Sequence, residues 1–185
     1  AVGCTYKYGN SGPGAPAWLY VAESVQEELR VPIQGWFANQ HQFEMGPHFQ
    51  PADGIRRFQV ASPPMAGLRA VRSSYRIIEE AGMTAISEKA ARGTELMIAL
   101  FDAWLAPLGF PLLTPRDPAR RGGHITIAHP EARQIATAMR TLTKTIPDYR
   151  VPDSIRLAIS PLPTNYTEVW DGMDRLRGLV ESRRY

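Results

Sequence analysis

Residues 31–58 contain Pro32, Gly35, Gly46, Pro47, Pro51 and Gly54. That punctuation forbids a long helix or strand there. Proline has no amide proton to give a ladder, and glycine loses the most backbone freedom when it is ordered. A loop of this length inside a compact domain is usually functional. Its aromatics, Trp36, Phe37, Phe43, Phe49 and Phe58, predict that it is packed rather than loose. Pro63-Pro64 then stops the short Phe58–Val60 run. The long periodic segments all follow.

After Pro64, Leu68, Val71, Tyr75 and Ile78 recur at helical spacing, and Gly82 ends the pattern. A second helix is predicted from about Thr84 to Leu105, with Ile86, Ala90, Leu96, Leu100 and Trp104 inside and Pro107-Leu108-Gly109 closing it. Residues 124–128 alternate as a strand, with Ile125 and Ile127 on one face. Pro130 suits a first helical turn, and Ile135, Met139 and Leu142 continue that helix. "SIRLAIS" alternates again: Ile155, Leu157 and Ile159 point one way, Arg156, Ala158 and Ser160 the other. Asn165 and Glu168 have the spacing of a capping box, followed by Val169, Met173, Leu176 and Val180. The second half therefore reads helix, helix, strand, helix, strand, helix, an α+β layer. Earlier, Trp18–Val21 reads as a strand and 23–30 as a short polar helix or loop.

Composition excludes several classes. The chain has 185 residues, 44% of them hydrophobic and 21% charged, which suits one globular domain or one and part of another. The formal charge of +3 is mild and the arginines are scattered, so no nucleic-acid face is expected. A single cysteine excludes an internal disulfide framework and a Cys-based zinc site. His41, His48, His124 and His129 show no metal-ligand spacing with acids, so no metal is expected. No stretch has the length of a membrane span, no signal-peptide layout is present, and a cytoplasmic setting is the expectation. The first residues, Ala1-Val2-Gly3-Cys4, read as the middle of something already under way.

Four positions stand out for chemistry. Lys7 lies between two tyrosines at the mouth of a Gly-Asn-Ser-Gly-Pro turn. A nucleophilic lysine needs an aldehyde to condense with, and a glycine turn lets a flat cofactor approach the backbone. By spacing alone this signal is weak, and a lysine at a strand end is usually a solvated residue. Arg156 sits inside a strand, alone on its face beside Ala158 and Ser160, with room for an anion such as a carboxylate beneath the guanidinium; an arginine exposed on the open face of a sheet reads equally well. Trp36, in a Gly-Trp turn, reads as core or site. Ser62 reads as a helix cap or a polar contact.

Taken together, "CTYKYGNSGPGAPAWLYV", "GWFANQHQFEM", "GIRRFQVASPP", "RRGGHITIAHPEA" and "PDSIRLAISPLPTNYTEVWDGMDRL" resemble kynureninase, a pyridoxal-phosphate enzyme family of the class V aminotransferase-like group, fold type I. The resemblance covers essentially all of this chain and the C-terminal half of a whole family member. It implies an α/β fold: residues 1–64 are the end of the cofactor-binding large domain, with its strand and dimer-interface loop, and 65–185 are a small α+β domain. It implies pyridoxal 5'-phosphate as cofactor, linked covalently to Lys7. Tyr6 is implied to touch the cofactor phosphate and assist proton transfer. Trp36 and Ser62 are implied to reach the phosphate of the neighbouring subunit's cofactor, and Ser62 to lie near the substrate as well. Arg156 is implied to hold the substrate α-carboxylate.

The implied activity is hydrolysis of L-kynurenine, or 3-hydroxykynurenine, to anthranilate or its 3-hydroxy form and L-alanine. It would be carried out by a cytoplasmic homodimer with a shared active site and no nucleic-acid or membrane partner. Four positions depart from the family pattern: Gly9 where leucine is usual, Ala38-Asn39 where Gly-His is frequent, and Ser62 where threonine or asparagine is usual. The last leaves the ring substituent of the substrate open. This chain alone is expected to bind cofactor poorly. The alternatives are another class V enzyme with aminotransferase-like chemistry, and a non-catalytic module that folds and dimerises. A cysteine desulfurase is disfavoured, because Cys4 lies just before the lysine rather than on a separate loop.

Overall fold

The computed structural model describes residues 1–44 and 46–185. Met45, the last residue of the Gly35–Met45 segment quoted above, lies outside them. The chain divides into two units, Ala1–Glu80 and Ala81–Tyr185.

The first unit opens with strands β1 (Val2–Cys4) and β2 (Ala17–Leu19), antiparallel with Gly3 opposite Trp18. The Trp18 indole lies over Gly3, where an added Cβ would come within 2.5 Å of the ring and displace it. Helix α1 (Glu23–Gln26) is a single turn. The following loop carries short 3₁₀ turns at Trp36–Ala38 and Gly54–Phe58. Its aromatics do not hold it together as expected: Phe43 is 77% exposed and Trp36 43%. Polar ties hold it instead. The amide of Ala52 donates to the Ala38 carbonyl at 2.8 Å, and that of Gln40 to Gln50 at 2.8 Å. The buried Arg57 guanidinium donates to the carbonyls of Ala52 and Gln26 and to Glu27, at 3.1, 2.9 and 2.6 Å. A buried guanidinium with every side engaged is a strong cross-brace for a chain without regular structure.

Helix α2 (Met65–Ala81) follows Pro64 as its spacing predicts, but its apolar stripe is not core. Leu68 and Tyr75 are exposed, and Ser74 is the buried residue of this helix.

The second unit holds the core. Helix α3 (Met83–Leu100) widens into a π turn at Phe101–Leu105 and closes through Ala106–Leu108 and a left-handed Gly109. The wider turn rotates the last side chains relative to a continuous helix. Met97, Ile98, Phe101 and Leu105 are fully buried, while the expected Leu96, Leu100 and Trp104 pack at the margin. Strand β3 (His124–Ala128), helix α4 (Ala132–Leu142), strands β4 (Asp148–Arg150) and β5 (Ser154–Ala158) and helix α5 (Tyr166–Glu181) complete it. The sheet order is β3-β5-β4, antiparallel throughout. Ile125, Ile127, Ile155, Leu157 and Ile159 form its apolar face against Ile135, Met139, Met173 and Leu176. Leu142, read as continuing the α4 stripe, is exposed at that helix's last turn.

The capping box of α5 is complete. The Asn165 side chain accepts from the Glu168 amide at 2.8 Å, and the Glu168 carboxylate accepts from the Asn165 amide at 2.8 Å. This is the fold class read from the sequence, a mixed α/β chain with an α+β second half. The compact division falls after Glu80, so α2 groups with the first unit rather than with the residues after 64.

Candidate functional site

Lys7 lies on the turn that joins β1 to β2. The turn closes locally: the Asn10 amide donates to the Lys7 carbonyl at 3.0 Å and the Ser11 amide to the Thr5 carbonyl at 3.1 Å. Gly9 packs against that same carbonyl, where a Cβ would collide with backbone. Glycine at 9 is thus a packing requirement. The Lys7 side chain is exposed, with its amine 5.7 Å from the centroid of the half-exposed Tyr6 ring. The base of the turn is fixed from below. The buried Thr5 hydroxyl donates to Pro16 at 2.6 Å, and the Ser11 hydroxyl meets that of Ser74 on α2 at 2.8 Å.

Trp36 and Ser62 are brought together through their neighbours. Gly35 packs directly on the carbonyl of Val60, with no room for a Cβ. The Gly-Trp turn and the segment entering Ser62 therefore touch along their backbones. Trp36 stacks edge-on with Phe37 and Phe43, at 4.6 and 6.0 Å between centroids. Ser62 is exposed.

Arg156 belongs to the second unit, on the central strand β5. It faces Thr126 of β3 on one side and Asp148 of β4 on the other. It is not alone on its face, as the sequence reading had it: Asp148 accepts from its Nη2. The same carboxylate oxygen accepts from Arg150 at 2.6 Å. Burial acts to raise the Asp148 carboxyl, and hydrogen bonds and charge from Arg150 and Arg156 outweigh it, so it lies below the usual carboxylate range. His124, on the same face of β3, is held below the usual imidazole value by burial and then by the Arg156 charge. Asp148 was missed from the sequence because β4 has three residues and no alternating pattern.

The other histidine of that segment is structural in its contacts. His129 stacks on Phe110 at 4.5 Å, and its Nδ1 accepts from the Glu131 amide at 3.1 Å. Among the described residues no group of three or more His, Cys, Asp or Glu could hold a metal ion. Among the described residues no helix is long and apolar enough to cross a membrane.

The backbone matches solved structures of fold type I pyridoxal-phosphate enzymes. A cysteine desulfurase from Thermococcus onnurineus aligns with a TM-score of 0.74 at 16% identity, over 92% of this chain and 45% of its own. A cystine C–S lyase, solved with glycine covalently linked to its PLP cofactor, aligns at 0.70 and 16%, over 89% and 43%. An alanine–glyoxylate aminotransferase from Nostoc aligns at 0.63 and 14%, over 97% and 47%. The fold is thus that of the C-terminal portion of this enzyme class.

Sequence narrows the class. Residues 86–176 match the family model of the kynureninase C-terminal domain. All 185 residues align with the kynureninase of Pseudomonas fluorescens at 34% identity and with that of Burkholderia mallei at 33%. Over its whole length the chain is thus similar to kynureninases. It spans 44% of the length of these relatives.

Proposed function

We propose that this chain provides the lysine-bearing and carboxylate-binding part of a pyridoxal-phosphate-dependent hydrolase. The reaction is cleavage of the Cβ–Cγ bond of L-kynurenine or 3-hydroxykynurenine, giving the anthranilate and L-alanine. The observation that carries this reading is the match to kynureninases over the whole chain, the Lys7 turn included.

The side chains suit the cofactor. Lys7 offers an exposed primary amine for an aldehyde, on a turn whose backbone is bare at Gly12 and Gly14, where an added Cβ would meet open space. Tyr6, Trp36 and Ser62 offer a phenol, an indole N–H and a hydroxyl as phosphate donors. When bound, pyridoxal phosphate supplies an electron sink at the substrate α-carbon. Lys7 would hold the cofactor through its amine and, as a free amine, would carry protons to and from substrate carbon. Tyr6 fixes the phosphate and orients the Lys7 amine beside it. Arg156 receives the α-carboxylate as a charge-assisted pair.

The working form is a cytoplasmic homodimer in which Trp36 and Ser62 serve the neighbouring subunit's cofactor. The exposure of Tyr6, Trp18, Trp36 and Phe43 in the first unit supports a covering partner surface.

The test is anthranilate release from L-kynurenine by the protein expressed from its whole coding sequence with pyridoxal phosphate. Release by the native protein, and its loss in Lys7→Ala together with the visible absorption of lysine-linked cofactor, is the expected result. Transfer of the amino group to a keto acid without anthranilate would replace this reading with aminotransferase-like chemistry. A folded dimer that takes up no cofactor would replace it with a non-catalytic module.

A further inference from the structure

Asp148 and Arg156 stand directly opposite each other across the β4–β5 pair. The two strands fix both Cα atoms, but the guanidinium hangs on a long flexible stem. Oδ2 of Asp148 accepts from Nη2 of Arg156 and from Nη2 of Arg150. One carboxylate therefore serves two guanidinium groups. A one-to-one pair would present no net charge to an incoming anion. This cluster keeps a positive charge. All three side chains are partly exposed, so the cluster stays open to a small ligand.

The surroundings favour the same use. Thr126 faces Arg156 from β3, and Ala158, next on that face of β5, is small. His124, across from Ala158, stays uncharged near neutral pH and adds no competing cation. The opposite face of the sheet is apolar core, so ionic side chains on these strands belong on this face.

We propose that Asp148 is a positioning residue for Arg156, holding its guanidinium over the polar face of the sheet, while Arg150 shares the carboxylate and leaves residual positive charge for a substrate monocarboxylate. This rests on the reading of Arg156 as the carboxylate-binding residue.

The test compares Asp148→Asn, Asp148→Glu and Arg156→Ala in the whole holoenzyme. Asp148→Asn raises KM for L-kynurenine about tenfold and changes kcat less than about threefold, the signature of lost uniform binding. Asp148→Glu keeps the charge and restores most of the affinity. Inhibition by L-alanine weakens in Asp148→Asn, while inhibition by L-alaninamide, which has no carboxylate, does not. Equal weakening of both inhibitors would mark a structural role and overturn the proposal. An unchanged or lowered KM in Asp148→Asn, with KM raised in Arg156→Ala, would make Asp148 a bystander or a competitor, and would overturn the proposal while leaving Arg156 in its role. An unchanged KM and unchanged alanine inhibition in Arg156→Ala would remove the reading of Arg156 itself, and the proposal with it.

Discussion

Ser11 and Ser74 share a hydrogen bond of 2.8 Å between buried side chains 63 residues apart. One closes the turn that carries Lys7; the other is the buried residue of α2. The Ser74 hydroxyl also reaches the Val71 carbonyl and the Ser11 hydroxyl the Gly9 carbonyl, at 3.1 and 3.3 Å. The lysine turn is thus anchored to a helix rather than left to its own short strands. A two-stranded sheet is marginal by itself.

Removing that anchor has a defined effect. Ser74→Ala is expected to cost about 1 kcal/mol, the typical net value of a buried hydrogen bond. Amide exchange at Asn10 and Ser11 is expected to quicken with it. Denaturant unfolding and hydrogen exchange measure the two.

Gly35→Ala is expected to be more damaging. Its Cβ would strike the Val60 carbonyl, which is backbone and cannot swing aside. Overpacking of this kind costs about 1–3 kcal/mol. It also parts the Trp36 turn from the strand of chain leading to Ser62. Comparison of denaturation midpoints gives the cost, and in the holoenzyme cofactor retention falls with it.

In the second unit Leu176 is fully buried in the cluster formed by α3, α4, α5 and the sheet. Leu176→Ala is expected to cost about 2–5 kcal/mol through lost contacts and the cavity left behind. Asn165→Ala, which removes half of the capping box, is expected to cost about 1 kcal/mol. Thermal unfolding of both variants would rank them.

Acid weakens this fold in two steps. His124 has a depressed value in the folded chain, so the unfolded chain binds its proton first, and stability falls as pH drops below about 6.5. Asp102, paired bidentately with Arg116, and Asp148 are also depressed. Their contribution is whole above the ordinary carboxylate value of about 4 and is lost as pH falls through their folded values. His124→Gln is expected to erase the upper step and leave the lower one. A series of unfolding curves from pH 8 to pH 3 would resolve them.

A chain of these 185 residues is expected to bind pyridoxal phosphate weakly, because it spans 44% of the length of its relatives and leaves Tyr6 and Trp36 exposed. Equilibrium dialysis measures this, and tight stoichiometric uptake would contradict it.

The sequence was most legible where a pattern repeats. β3 and β5 follow from strict alternation, and the α5 start from one Asn–Glu spacing, because a buried sheet face and a cap each dictate residue type locally. The stripe on α2 is legible as a helix, and Leu68 and Tyr75 on it are exposed in this chain. In the loop at 31–58 the aromatics are the visible signal, yet Arg57 ties the segment down through hydrogen bonds that no local pattern announces. The turn of Lys7 was visible as punctuation around one amine. The link from Asp148 to Arg156 was not, because it depends on the register of a three-residue strand against its neighbour. No local pattern encodes such a register.

Arg156 sits on the middle strand of β3-β5-β4. Lengthening the connection at 143–147 or at 159–165 alters an edge strand or a helix entry, while the middle strand stays clamped from both sides. This part of the fold can therefore absorb insertions and drift at its rim over generations without moving its guanidinium.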